Sequence, residues 1–117
     1  PAPGTVLYKF SDLADLESRG FMFGKGKNRF EMFIIRKDNQ VMGYINACPH
    51  IGSPLEFMPH QFLNREKTRI VCATHGAKFE IESGHCVMGP CKGQYLPTIP
   101  VQIVNDDIVI GENDDAG

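Results

Sequence analysis

The sequence predicts an all-β domain of short antiparallel strands. Apolar and β-branched residues come in short runs, turn-forming residues separate those runs at regular intervals, and no helical periodicity fills the spaces between them. Val6 to Phe10 reads as the first strand. Ser11, followed by Asp12, Leu13 and Leu16, reads as a capped helical turn ending near Gly20, because a serine hydroxyl can satisfy an orphan backbone N–H at a helix start. Arg29 to Arg36 (RFEMFIIR) is crowded with the β-branched and aromatic residues that suit a pleated surface. The polar turn Lys37-Asp38-Asn39-Gln40 follows, and Val41 to Ala47 returns, which together predict a hairpin. Thr68 to Ala73, Lys78 to Glu82, Thr98 to Val104 and Asp107 to Ile110 complete the strands, with turns at Ser83-Gly84 and Asn105-Asp106. Phe21, Met22, Phe23, Phe30, Met32 and Phe33 read as core, and the acidic end 112–117 (ENDDAG) as a frayed tail.

Composition narrows the function. A chain of 117 residues, 42% hydrophobic and 22% charged, supports one domain with one core and leaves no room for a separate catalytic domain. Twelve Lys and Arg against fourteen Asp and Glu give a net charge of −2. The basic residues are scattered, with Lys25, Lys27 and Arg29 the densest group, so no nucleic-acid partner is expected. The longest apolar runs, such as Met32 to Ile35, fall far short of the roughly 20 residues a bilayer span needs, so no membrane partner is expected. The opening Pro1-Ala2-Pro3-Gly4 lacks a secretory pattern, which makes a cytoplasmic location the expectation.

Every Cys and His of the chain lies between Cys48 and Cys91. Residues 1–117 therefore read as one domain, with a strand scaffold at 1–46 and 94–111, a functional region at 47–93 and a disordered tail at 112–117. Within that region Cys48-Pro49-His50 and, after 21 intervening residues, Cys72-Ala73-Thr74-His75 each follow a predicted strand. If those strands end side by side, two thiolates and two imidazoles converge as a four-ligand metal site. Tetrahedral zinc accepts such a donor set, but its Cys₂His₂ sites usually pair like with like, and here each arm is mixed. Mixed arms suit a two-iron cluster in which two histidines replace two cysteines on one iron.

The pattern C-x-H followed by C-x-x-H resembles the Rieske iron-sulfur family. Gly52 after the first pair, Gly76 after the second, and Gly89-Pro90 at the place of a third, proline-bearing loop extend the resemblance, which is strong from Ala47 to Pro90 and loose in the flanking strands. It implies a Rieske-type antiparallel β-sandwich with a cluster-binding subdomain of two ligand loops. It also implies one 2Fe-2S cluster per chain, with Cys48 and Cys72 on the inner iron and His50 and His75 on the outer. Glycine next to each ligand pair lets backbone N–H groups approach the cluster sulfurs. Rieske proteins of quinol-oxidising complexes carry a bracing disulfide where this chain has Ser53 and Thr74, and Ser and Tyr hydroxyls where it has Ala77 and Phe79. Hydrogen bonds to sulfur favour the reduced state, so their loss predicts a potential near the low end of the Rieske range, about −150 mV and not about +300 mV.

The resemblance implies an electron-transfer protein and not an enzyme. The closest type is the soluble, low-potential ferredoxin of aromatic-ring-hydroxylating oxygenase systems, which takes an electron from a flavin or NAD(P)H-dependent ferredoxin reductase and passes it to a terminal oxygenase or other oxidoreductase. A small Rieske subunit of an assimilatory nitrite reductase and a zinc-stabilised interaction module are the alternatives. His60 reads as a surface-loop residue and His85 as an exposed hairpin residue. Cys86 and Cys91 read as small apolar fillers, with metal binding and a disulfide as the other options. Ile51, Leu55 and Phe57 read as exposed apolar residues available to a partner.

Overall fold

The computed structural model describes residues 2–49, 52, 54–56, 58–73 and 76–111, so the tail 112–117 lies outside the described residues. The described residues form three antiparallel sheets. The first has the order β1-β10-β9, from Val6–Lys9 (β1), Val101–Val104 (β9) and Asp107–Ile110 (β10). The second has the order β2-β3-β4-β8, from Ser18–Phe23 (β2), Phe30–Lys37 (β3), Gln40–Ile45 (β4) and Thr98–Ile99 (β8). The third, β5-β6-β7, is formed by Ile70–Val71, Lys78–Phe79 and Cys86–Met88.

β3 sits at the centre because both of its faces are apolar. Met32 and Ile34 pack with Leu13, Ile108 and Ile110 on the side of the first sheet. Phe33 and Ile35 pack on the other side with Tyr44, Leu55, Phe62, Phe79 and the buried cysteines. Alternate side chains of one strand thus serve two cores. On the second side Phe33 stacks on Phe62 with ring centroids 4.1 Å apart.

Two turns fall where expected. β3 and β4 join through Asp38-Asn39, with Lys37 opposite Gln40. β9 and β10 join through Asn105-Asp106, both at positive φ (50° and 71°), as a two-residue hairpin turn of the primed type requires.

The helical turn expected from Ser11 to Gly20 is not formed. Phe10–Asp12 is one turn of 3-10 helix, and Ser18–Phe23 is a strand paired with β3 along its whole length. The Ser11 hydroxyl donates to the Asp106 carboxylate instead of capping a helix, and Leu16 at φ 59° breaks the helical path. Met22, expected in the core, is exposed. Pro100 splits the expected strand Thr98–Val104 between two sheets: Thr98 and Ile99 pair with β4, and Val101–Val104 pair with β10. Proline has no N–H to continue a ladder.

Candidate metal centre

Cys48 follows β4 and Cys72 directly follows β5, and both are buried in the same core cluster. Each opens a turn of identical design. The Gly52 N–H donates to the Cys48 carbonyl at 2.6 Å, and the Gly76 N–H donates to the Cys72 carbonyl at 2.8 Å. Both glycines have positive φ, 76° and 70°, which an L side chain rarely adopts. No described atom lies within 4 Å of a Cβ built on either one, so among the described residues conformation and not crowding demands glycine. The cysteine of each turn is buried while its glycine is exposed at the rim. His50 and His75 fall between these cysteines and glycines in sequence but lie outside the described residues, as do Ser53 and Thr74.

The two turns are tied through one residue, Leu55. The Leu55 carbonyl accepts the Ala73 N–H at 2.8 Å, and the Leu55 N–H donates to Asn46 Oδ1 at 2.8 Å. Asn46 Nδ2 in turn donates to the Glu56 carboxylate at 2.9 Å and 3.2 Å. Asn46 therefore closes the loop that follows Cys48, a role the sequence reading missed. Its signal was a polar residue at the end of a strand two positions before a ligand-type cysteine. Leu55 is fully buried beneath that loop, which corrects its assignment to a contact surface; Ile51 and Phe57 lie outside the described residues.

The Gly89-Pro90 loop lies against the second turn. Gly89 has φ 105°, and a Cβ there would come within 2.7 Å of the Ala77 Cα. Ala77 and Phe79 are both buried, as apolar residues in place of hydroxyl donors should be. At the base of this loop the Cys86 N–H donates to the Gln94 carbonyl at 2.8 Å and the Gly93 N–H donates to the Cys86 carbonyl at 3.0 Å. Cys91 places its Sγ 3.1 Å from that of Cys86. Burial first, then Cys86 and Cys48, push the Cys91 thiol up to about 12.

The two remaining histidines have structural work. His60 is exposed, as expected; its Nδ1 accepts the Gly20 N–H at 3.1 Å, and its carbonyl accepts the Ser18 hydroxyl at 2.7 Å. His85 is half-buried and stacks on Tyr95 at 4.7 Å, which corrects the expectation of an exposed hairpin residue.

Comparison with known proteins places this architecture. The Rieske [2Fe-2S] domain model matches residues 6–105, and the chain belongs to that family. Its all-β antiparallel fold is that of the Rieske ferredoxins, and the cofactor that membership brings is a Rieske-type 2Fe-2S cluster. The ferredoxin of carbazole 1,9a-dioxygenase from Nocardioides aromaticivorans IC177 superposes with a TM-score of 0.68 at 15% identity, covering 96% of this chain and 100% of that one. The Sphingomonas yanoikuyae B1 ferredoxin gives 0.66 at 22% identity, covering 94% and 99%. A complex of reduced oxygenase and oxidised ferredoxin in carbazole 1,9a-dioxygenase gives 0.67 at 18% identity, covering 97% and 94%. A search of curated protein sequences returned no match. Among the described residues no helix is long and apolar enough to cross a membrane.

The donor chemistry fits the cluster. Two buried thiols at the base of matched turns, each turn ending in an exposed glycine, supply the cysteine half of a mixed Cys and His site.

Proposed function

We propose that the chain is a one-electron carrier that works in the cytoplasm, with Cys48 and Cys72 on the inner iron of its cluster and His50 and His75 on the outer. The observation that carries this reading is the pair of matched turns, Cys48 to Gly52 and Cys72 to Gly76, each with a buried cysteine and an exposed glycine. When bound, the cluster supplies a one-electron couple.

The chain's own residues do the rest. Leu55, held by Asn46, fixes the spacing of the two turns. Ala77, buried at the end of the second turn, lies directly beneath Gly89 of the third loop. In sequence the histidine of each turn falls between the buried cysteine and the exposed glycine, and in this reading the imidazole edges are the exit toward a partner. In this reading residues 47–93 form the cluster-binding region on a scaffold of 1–46 and 94–111, within a single domain 1–117.

The electron donor is a flavin or NAD(P)H-dependent ferredoxin reductase, and the acceptor is a terminal oxygenase or other oxidoreductase. Support for the acceptor comes from the ferredoxin neighbour whose structure is a complex with its oxygenase. The test is the visible and EPR spectrum of the purified protein before and after dithionite. A red-brown oxidised form that gives a rhombic signal of low average g on reduction supports the reading. Stoichiometric zinc in a colourless protein prepared without oxygen overturns it.

A further inference from the structure

Cys86 and Cys91 have no part in the carrier function just described. Four residues separate them in sequence, Val87-Met88-Gly89-Pro90, and the hydrogen bonds of Cys86 with Gln94 and Gly93 fold the chain back so that Cys91 meets Cys86. Their sulfurs lie 3.1 Å apart, with both side chains fully buried and both thiols reduced. A disulfide needs about 2.05 Å, so closure asks for a movement of about 1 Å.

We infer that Cys86 and Cys91 are a disulfide-forming pair that closes a covalent ring around the Gly89-Pro90 loop. The contact between their sulfurs and the hydrogen-bonded base of the loop carry this inference. The place is also functional, since Gly89 rests on Ala77 beside the second cysteine turn. The positions where quinol-oxidising relatives place a brace hold Ser53 and Thr74 and cannot form one. The Cys86 and Cys91 pair supplies a brace from the third loop instead.

A hydroperoxide is the oxidant class a closed site admits. One thiolate attacks the peroxide oxygen, giving a sulfenic acid and water; the neighbouring thiol then displaces a second water as the S–S bond forms. Two thiols and one hydrogen peroxide thus become one disulfide and two waters, with two electrons passing from sulfur to peroxide. A dithiol reductant reverses the change by thiol–disulfide exchange.

The experiment uses the cluster-loaded protein, treated with hydrogen peroxide while its visible spectrum is followed, then denatured, alkylated and digested with trypsin. Cleavage after Lys78 and Lys92 yields the peptide 79–92, which holds both cysteines and no other, while Cys48 and Cys72 fall in separate peptides. The expected result is a peptide 79–92 lighter by two hydrogens and closed to alkylation, which becomes doubly alkylated after dithiothreitol. The Cys91→Ser protein should leave Cys86 open to alkylation under the same treatment. A peptide 79–92 that stays doubly alkylated overturns the inference, as does one that carries sulfinic acid, or a cross-link of Cys91 to the peptide containing Cys48. The expected mass change, and its absence, concern only peptide 79–92, which holds none of the proposed cluster ligands, so failure there is distinct from failure of the electron-carrier reading.

Discussion

The Ala73 N–H donates to the Leu55 carbonyl at 2.8 Å, so the turn that begins at Cys72 hangs from the loop that follows Cys48. Asn46 holds that loop shut from the other side. Asn46→Ala leaves the buried Leu55 N–H without its acceptor, which should cost about 1 to 3 kcal/mol of unfolding free energy. Because Leu55, which the lost bond holds, also carries the hydrogen bond to the second turn, the variant should lose its visible absorbance faster than wild type in the presence of a chelator. Urea unfolding and the rate of bleaching check the two parts separately.

Tyr44 reaches from β4 to the third sheet, donating its hydroxyl to the Ile81 carbonyl at 2.6 Å from a buried ring. Tyr44→Phe keeps the ring against Phe33 but orphans that carbonyl, and the expected loss is about 1 to 2 kcal/mol. The midpoint of urea unfolding at neutral pH measures it.

The same tyrosine predicts how stability responds to alkali. Burial first, and then the nearby Glu82 carboxylate, raise its pKa above the ordinary value of about 10. The folded protein keeps a proton that the unfolded chain releases, so this contribution is complete below about pH 10 and is lost as pH rises further. Unfolding free energy measured from about pH 9 to about pH 11.5 should fall more steeply for wild type than for Tyr44→Phe. Equal slopes would show that the phenol does not set the alkaline limit.

Two glycines should tolerate no side chain, for different reasons. At Gly84, φ is 74° and a Cβ would lie 2.8 Å from Tyr44 Cε1, so Gly84→Ala should lower stability by about 2 kcal/mol or more. At Gly89 the obstacle is backbone, the Ala77 Cα at 2.7 Å, and Gly89→Ala must lift the third loop off the second turn. Its signature should be faster loss of the cluster, read as bleaching in a chelator. Equal bleaching rates in Gly89→Ala and wild type would contradict this role for the loop.

Ala77 and Phe79, both buried, offer the cluster no hydroxyl. Redox titration should therefore give a midpoint near the low end of the Rieske range, about −150 mV. A midpoint well above zero would require donors other than those absent here.

The all-β antiparallel class was legible in the sequence, and the short local patterns Cys48 to Gly52 and Cys72 to Gly76 coincide with two matched turns, while His50 and His75 lie outside the described residues. β2 was hidden because Leu13 and Leu16 mimic helical spacing, and SRGFMF contains no β-branched residue. Gly20 within it makes room for the Phe62 ring, only 3.1 Å from where a Cβ would stand, a contact between residues far apart in sequence. β7 was missed because three residues carry no period. The approach of Cys91 to Cys48 was invisible for a further reason: it arises when a loop from one end of the third sheet folds over a turn from the second, and no spacing rule encodes that.

Pro100 gives the scaffold a mechanical property. The chain leaves the second sheet at Ile99 and enters the first at Val101, with a single rigid residue as the joint. Peeling β9 from β10 therefore pulls directly on the pairing of β8 with β4, and the two sheets are loaded in series along one short stretch of backbone. The cysteine turns, by contrast, pack with the core on the other side of β3 from the one that β9 and β10 cover.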